Sequence, residues 1–338
     1  MVGQTFLRLL EGHPWFRVAE VAASERSAGK RYGEVVHWLD GELPESVANL
    51  PVLRCDPESV RAPIVFSALD AAAAGSVEPA FARAGRWVLS NARNFRLEAD
   101  VPLIIPEVNP EHLALLECQR ETRGWPGAIV TNAYCSTMVV ALALAPLHQA
   151  FGVRTAMVTT LQAVSGAGYP GVASLDILGN VIPFIGGGEE EKIESETLKL
   201  LGRMENGVVE PAPIRISAQV NRVPVEHGHT VCLSVSLAER VSPDDAVQAI
   251  QAWRSAVASL ALPSSPRQPV VVLAETDRPQ PRRDVERGGG MTVSIGRVRR
   301  CPVLDLRLVA LGHNTIRGAA GASVLNAELL VARGLVQA

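Results

Sequence analysis

Residues 64–90 read IVFSALDAAAAGSVEPAFARAGRWVLS, and this stretch decides the fold class. Its apolar runs Ile64–Ala68 and Trp87–Ser90 have the length and the β-branched and aromatic content of buried strands. Between them, Ala73–Ala84 has the apolar spacing of a helix. A strand, a helix and a second strand in this order are typical of a βαβ unit, whose two strands lie parallel. The stretch therefore predicts an α/β fold.

The same alternation continues on both sides of this unit. Further strands and helices are predicted at Val18–Ala23, Pro102–Ile105, Ala128–Thr131, Gln4–Leu10 and Pro110–Cys118. This rhythm predicts a Rossmann-like, dinucleotide-binding domain over residues 1–134. Gly3, followed by a helix, matches the end of the glycine-rich turn that opens such a domain, but no strand or earlier glycine precedes it in the sequence. We expect either that the protein starts upstream of Met1 or that its fold lacks the first strand.

The pattern changes after Tyr134. Two longer strands, Ile214–Val225 and Thr230–Leu237, are predicted to meet in a hairpin at Glu226–Gly228. Helices are predicted at Ser136–Ala150, Glu189–Leu201 and Pro243–Leu260. We therefore predict a second, α+β domain with a mixed or antiparallel sheet over residues 135–313, and a C-terminal helix within 314–338 that returns to the first domain.

Composition limits the function classes. A chain of 338 residues is long enough for two domains, and 47% hydrophobic residues with a net charge of -3 give no reason to expect nucleic acid as a partner. No apolar run approaches the roughly 20 residues that span a bilayer, and no signal peptide follows Met1, so we expect a cytoplasmic protein without membrane contact. The five cysteines are scattered without C-x-x-C spacing, which indicates neither a disulfide framework nor a metal site.

Cys135 is the candidate nucleophile. It follows the predicted strand Ala128–Thr131 and precedes an apolar helix, so it should stand at a helix N-terminus, where the helix dipole favours a thiolate. A thiolate can attack a carbonyl carbon when a base lies within reach. The alternative is a small buried side chain, which is the interpretation for the other cysteines: Cys55, Cys118, Cys232 and Cys301.

Arg222 and His229 are the second candidate pair. If the hairpin turns between Glu226 and His227, His229 lies opposite Pro224, and the two-residue alternation places Arg222 on the same face. A guanidinium can grip a substrate carboxylate and an imidazole can accept a proton. The alternative is a solvated hairpin tip, which His227 fits best.

Three further motifs are weaker signals. Ser24–Ser27 follows a strand where a dinucleotide-binding domain contacts the ribose, and its hydroxyls and Arg26 suit the 2′-phosphate of NADP rather than NAD. Gln162–Gly168 is rich in small residues that let backbone approach a flat ligand, with a plain turn as the alternative. Glu189–Lys192 is either an ordinary acidic first helical turn or, at i and i+3, a shared functional face.

Taken together and in this order, six segments resemble the archaeal and fungal type of aspartate-semialdehyde dehydrogenase over nearly the whole chain. They are Ala23–Lys30, Ile105–Pro110, Gln162–Gly171, Asn180–Pro183, Arg222–Thr230 and His313–Gly321. The resemblance implies a Rossmann-like NADP-binding domain, a catalytic and dimerisation domain, and a homodimer or homotetramer. Tyr134 departs from the family pattern, because it stands where the family has asparagine beside the nucleophile.

The resemblance also implies residue roles. Cys135 would be the thioester-forming nucleophile, His229 the acid/base and Gln162 a substrate-orienting amide. Substrate and phosphate would be bound by Arg222 (α-carboxylate), Glu189 (amino group), Arg96, Asn91 and Lys192. NADP(H) would be contacted by Val2, Gly3, Ser24, Arg26, Ser27, Ser67, Ala68, Leu69, Ser165, Gly166 and Asn314.

The reaction implied by the resemblance is the NADP-dependent reduction of L-aspartyl-4-phosphate to L-aspartate 4-semialdehyde with release of phosphate. The route runs through a cysteine thioester, in the biosynthesis of lysine, threonine, methionine and isoleucine. Two alternatives stay open because of Tyr134 and the missing strand. One is a related reductase of acyl-CoA, of the malonyl-CoA type, or of another acyl phosphate. The other is a catalytically silent NADP-binding paralogue.

Overall fold

The computed structural model describes residues 1–39 and 41–336. Their first part consists of short strands with helices between them. The strands are β1 (Val21–Ala23), β2 (Val52–Arg54), β3 (Ile64–Ser67), β4 (Trp87–Ser90) and β5 (Ala128–Thr131). The helices are α1 (Val2–Leu10), α2 (Tyr32–Val35), α3 (Glu45–Ala48), α4 (Ala71–Arg83) and α5 (Leu115–Arg123). β1 pairs with β2, and β4 lies between β3 and β5, always in parallel. This is the α/β arrangement that the sequence predicts.

Helix α4 shows how the sequence forms the βαβ unit. The side chain of Asp70 accepts a hydrogen bond from the N–H of Ala73 at 2.9 Å and caps the helix start. One face of the helix buries Ala74, Phe81 and Ala82. Phe81 packs in a cluster with Val88 of β4 and Ile129 of β5, which fixes the helix across the sheet.

The strand predicted at Pro102–Ile105 is wrong. The structure places a loop there, with a single bridge from Leu103 to Thr131. The side chain of Asn109 accepts from the N–H of Ile105 and donates to the carbonyl of Leu103, both at 2.8 Å. Because a side chain satisfies these backbone groups, they need no strand partner. β1 is also shorter than predicted and begins at Val21.

The second part contains α6 (Cys135–Phe151) and a large sheet. The strands are β6 (Val153–Gln162), β7 (Ile182–Pro183), β8 (Arg203–Glu205), β9 (Val208–Glu210), β10 (Arg215–Arg222), β11 (His229–Leu237), β12 (Val270–Val272), β13 (Val293–Arg300) and β14 (Leu306–Gly312). The other helices are α7 (Ser174–Ile177), α8 (Glu189–Leu200), α9 (Pro243–Ala252), α10 (Pro281–Asp284) and α11 (Gly321–Ala332). Among the described residues, seven strands form one mixed sheet in the order β12-β13-β14-β11-β6-β10-β7.

The predicted hairpin between β10 and β11 is wrong. β6 lies between them, parallel to β10 and antiparallel to β11. The segment that joins β10 to β11 crosses the end of β6: the N–H of Val223 donates to the carbonyl of Gln162, and the N–H of Val164 donates to the carbonyl of Val225. Arg222 and His229 therefore flank the end of β6 instead of facing each other across a turn.

Apolar helices cover one face of the mixed sheet and join the two parts. α6 is buried on all sides from Ser136 to Leu147, as expected for a helix in the centre of a core. After a π-helical turn at Ile316–Ala320, α11 packs its Val324 against Phe6 of α1. The predicted segment 314–338 ends in Gln337 and Ala338, which lie outside the described residues.

Candidate active site around Cys135

Cys135 is the first residue of α6, and the mixed sheet brings a histidine to its side chain. The Cys135 Sγ lies 3.1 Å from Nε2 of His229, the first residue of β11. Gly318 packs against the other side, where an added Cβ would lie 2.6 Å from the Cβ of Cys135. A larger residue at position 318 would therefore displace the candidate nucleophile.

A backbone group holds the His229 ring in one tautomer. The N–H of Ala163 donates to Nδ1 at 3.1 Å, so the neutral ring carries its proton on Nε2, the atom that faces Cys135. Burial lowers the pKa of His229 to about 3, and the nearby Arg222 guanidinium and His313 ring act in the same direction. The imidazole is therefore neutral at ordinary working pH.

The thiol is neutral as well. Burial, and then the Glu189 carboxylate, raise the pKa of Cys135 to about 12, although the guanidinium groups of Arg222 and Arg96 act in the opposite direction. The sequence predicts a thiolate favoured by the helix dipole. The structure differs because burial removes the thiolate from solvent, which disfavours the charged form.

Arg222 and Gln162 end neighbouring strands and face each other in register. Arg222 is 5% exposed, and its Nη1 donates to the carbonyl of Ala163 at 2.8 Å. Gly166 lets the following turn pack on this group, since an added Cβ would lie 2.9 Å from Arg222 Nη1 and 3.1 Å from His229 Cε1. The small-residue run after Gln162 thus allows backbone to approach the candidate catalytic side chains.

Tyr134, immediately before Cys135, connects the polar side chains of the site. Its hydroxyl donates to a carboxylate oxygen of Glu189 and lies 2.8 Å from Oε1 of Gln162. The Nζ of Lys192 stands 5.2 Å from the centre of its ring. The tyrosine points into the site and does not turn away from it.

Glu196 was not predicted from the sequence, but its carboxylate contacts both Tyr134 and Arg96. One of its oxygens accepts from the N–H of Tyr134 at 2.6 Å, and the other pairs with Arg96 Nη1 at 2.9 Å. Glu189, Lys192 and Glu196 share one face of α8, at positions i, i+3 and i+7. That spacing is visible in the sequence and could have identified Glu196.

The residues predicted to bind phosphate lie close to this face but are partly engaged. Arg96 is 6% exposed, and its Nη2 donates to the carbonyl of Asn91 at 2.7 Å. The Asn91 side chain donates to the carbonyl of Ser67 and accepts from Asn132. Lys192 lies close enough to Glu189 and Arg96 for their charges to act on its pKa, which burial lowers. Phosphate binding by these residues remains a prediction.

His227 is not the solvated hairpin tip that the sequence suggests. Its Nδ1 lies 3.0 Å from Oγ of Ser165, and its ring stacks on His313 with centroids 5.1 Å apart. Asn314 donates to the same Ser165 Oγ at 2.8 Å and accepts from the N–H of Gly228. The predicted cofactor residues Ser165 and Asn314 thus belong to one hydrogen-bonded group beside His229.

Comparison with known proteins shows the family of this chain. A family model described as "Semialdehyde dehydrogenase, NAD binding domain" matches residues 1–116, and "Semialdehyde dehydrogenase, dimerisation domain" matches residues 144–317. The chain is 50% identical to the aspartate-semialdehyde dehydrogenase of Archaeoglobus fulgidus over 99% of this chain and 96% of that one. It is 52% identical to that of Methanothermobacter thermautotrophicus over 98% and 96%. The chain belongs to the aspartate-semialdehyde dehydrogenase family.

The solved structures agree. The aspartate-semialdehyde dehydrogenase of Candida albicans, solved with NADP, is 43% identical, covers 99% of this chain and 97% of its own, and superposes with a TM-score of 0.91. The resemblance inferred from the sequence is thereby confirmed, as is the fold class. The relatives support the aspartate-semialdehyde dehydrogenase interpretation and not the acyl-CoA reductase or the silent paralogue.

As a member of the aspartate-semialdehyde dehydrogenase family, the chain has an NAD(P)-binding part, and its geometry fits such a cofactor. α1 begins at Val2 without a side-chain cap, and an added Cβ at Gly3 would meet nothing within 4 Å. Uncapped N–H groups beside open space suit a phosphate. A cavity of about 300 Å³ lies next to this helix start and is lined by residues that include Met1, Ser27, Tyr32, His37 and Tyr169.

The buried histidines make the stability of this family member depend on pH. Burial lowers the pKa of His112 to about 4 and those of His229 and His313 to about 3. Below pH 6.5 the unfolded chain binds protons that the folded one does not, so this stability is present above that pH and is lost as pH falls. Near pH 5 these three histidines contribute at most about 4 kcal/mol per pH unit to the slope, at about 1.4 for each, while the raised pKa values of Glu78 and Glu189 act in the opposite direction.

Urea unfolding at a series of pH values would measure this slope. His112→Asn, which leaves the Cys135 site untouched, should lower the slope by about 1.4 kcal/mol per pH unit. An unfolding free energy that stays constant from pH 7 to pH 5 would contradict the assignment.

Proposed function

We propose that this chain catalyses the NADP-dependent reductive dephosphorylation of L-aspartyl-4-phosphate to L-aspartate 4-semialdehyde, through a thioester on Cys135. The observation that carries the proposal is the 3.1 Å contact between Cys135 Sγ and His229 Nε2 at the start of α6. Its relatives bear the name of this enzyme. A catalytically silent paralogue would not need a thiol within contact distance of an imidazole.

Cys135 and the residues around it have separate roles in the proposed reaction. The Cys135 sulfur bonds to the acyl carbon as the carbon–oxygen bond to phosphate breaks, and the leaving phosphate takes both that electron pair and the proton of the thiol. His229 donates from Nε2 to the oxygen that gains charge, and Gln162 orients the acyl group. Bound NADPH supplies the hydride that reduces the thioester. Arg96, Asn91 and Lys192 are the candidate partners of phosphate.

Substrate binding changes the charges next to the thiol of Cys135. Glu189 raises the pKa of Cys135, and Arg222 lowers it. A substrate whose ammonium group pairs with Glu189 offsets the unfavourable charge, although its carboxylate also engages Arg222. Binding of an α-amino acyl group thus changes the electrostatics of the nucleophile that it meets.

The proposal predicts phosphate-dependent reduction of NADP⁺ when the protein is given L-aspartate 4-semialdehyde, measured from NADPH absorbance. NAD⁺ should serve with lower kcat/KM, because Ser24, Arg26 and Ser27 in the turn after β1 suit a 2′-phosphate. Equal kcat/KM with both cofactors would refute the NADP preference. Reduction of an acyl-CoA, without turnover of the semialdehyde, would favour the alternative reductase.

We further propose a homodimer or homotetramer that uses the open face of the mixed sheet. Met157 of β6 is 48% exposed on this face, while α6 packs against the other. The match to a dimerisation domain over residues 144–317 supports this assembly.

The domain division into 1–134, rejoined by 314–338, and 135–313 is also a proposal. A cytoplasmic location is a proposal as well. Separately, no helix of the described residues is long and apolar enough to cross a membrane.

A further inference from the structure

Tyr134 contacts three of the candidate substrate-binding side chains, and none of the proposed roles uses it. Its side chain is 9% exposed. The hydroxyl donates to Glu189 and lies 2.8 Å from Oε1 of Gln162, and the ring lies below the ammonium of Lys192. The backbone N–H of the same residue is fixed by Glu196. Both ends of Tyr134 are therefore anchored beside Cys135.

The phenol has one proton and two acceptors near it. The Glu189 carboxylate is the stronger acceptor, because hydrogen bonds to a charged group are shorter and stronger than those to an amide. A carboxylate has two oxygens and about four acceptor sites, so one hydrogen bond from Tyr134 leaves Glu189 able to accept more. The phenol thus fixes the orientation of Glu189 without using up its capacity.

The ring has a separate effect on Lys192. Its ammonium group stands 5.2 Å from the ring centre, a distance at which a cation is attracted to the aromatic face. Lys192 is one helical turn from Glu189 and is its natural partner on the helix surface. By attracting Lys192, the ring favours a position in which Glu189 is available to another cation.

We propose that Tyr134 is a specificity-determining residue, whose hydroxyl orients the Glu189 carboxylate to receive the ammonium group of the substrate and so selects acyl groups that carry an α-amino group. The inference rests on the proposed function. Beyond that function, Tyr134 accounts for the discrimination between amino and amino-free substrates, although it does not itself contact the reacting carbon.

The test compares the wild-type protein with Tyr134→Phe, which removes the hydroxyl and keeps the ring over Lys192. The substrates are aspartate semialdehyde and succinate semialdehyde, which has the same chain without the amino group. For aspartate semialdehyde, kcat/KM should fall about ten- to hundredfold, mainly through KM, as expected when a hydrogen bond to a charged group is lost. For succinate semialdehyde it should change less than about twofold. An equal loss with both substrates, no loss, or a gain with aspartate semialdehyde would overturn the proposal.

A second measurement keeps the proposal testable if the wild-type protein does not turn over the semialdehyde, a result that would refute the proposed function alone. Alkylation of Cys135 by iodoacetamide can be followed by mass spectrometry in the presence of L-aspartate or succinate. Cys118, a free and partly exposed thiol on α5, is the internal control. Aspartate should protect Cys135 better than succinate in the wild type, and Tyr134→Phe should abolish this difference. The same difference in both proteins would overturn the assignment.

Discussion

Cys135→Ala should abolish phosphate-dependent oxidation of aspartate semialdehyde, with a loss of at least about 10⁴-fold in kcat, as found when enzymes lose a covalent nucleophile. No thioester can form without the sulfur, and the side chain that remains offers no nucleophile to the acyl carbon. The measurement is the rate of NADPH formation at saturating substrate. Because Cys135 sits at the start of a long buried helix, alanine is the replacement that disturbs packing least.

The matched control is Cys118→Ala, since Cys118 is also a free thiol on a helix but lies on α5, outside the candidate site. It should leave kcat within about twofold and change the unfolding free energy by no more than about 1 kcal/mol. Binding of NADPH to Cys135→Ala should stay normal, which separates loss of chemistry from loss of fold. Residual turnover of more than a few per cent in Cys135→Ala would require another nucleophile.

Glu107→Gln should destabilise the protein by about 3–5 kcal/mol, the usual consequence of leaving one partner of a buried ion pair without the other. Arg317 and Glu107 are paired, and both side chains are fully buried. Arg317 also donates from Nε to the carbonyl of Met291 at 2.7 Å. It belongs to the turn that places Gly318 against Cys135. Loss of the pair should therefore lower activity as well as stability.

The control for this variant is an exposed ion pair. Glu25 lies 3.7 Å from Arg54, and the two side chains are 86% and 64% exposed. Glu25→Gln should cost less than about 1 kcal/mol, since water screens such a pair. Glu107→Leu combined with Arg317→Met removes both charges and should regain part of the loss. Equal destabilisation by Glu107→Gln and Glu25→Gln, measured by urea unfolding, would show that burial does not control the strength of this pair.

The local spacing of apolar residues was enough to predict several helices and strands. The helix predicted at Glu189–Leu201 is observed at Glu189–Leu200, and the one predicted at Ser136–Ala150 is observed at Cys135–Phe151. The strands at Trp87–Ser90 and Ala128–Thr131 have the predicted bounds. These elements are specified by neighbours three, four or two positions apart, which a sequence shows directly. The resemblance to the family was visible for a related reason, because its motifs are contiguous.

Only the tertiary structure decided which strands pair, how the pKa values of the site residues shift and which side chains meet there. Inserting β6 between β10 and β11 joins segments far apart in the chain, and no local pattern states which edge a strand will prefer. The same holds for the pKa of Cys135: a helix start is visible in the sequence, but burial beside Glu189 is not. Tyr134 is the clearest case. The sequence shows only that it precedes the nucleophile, whereas its contacts with Glu189 and Gln162 depend on three separate elements meeting. Pairing and solvation are properties of the folded whole, because their free energies depend on every group brought close in space.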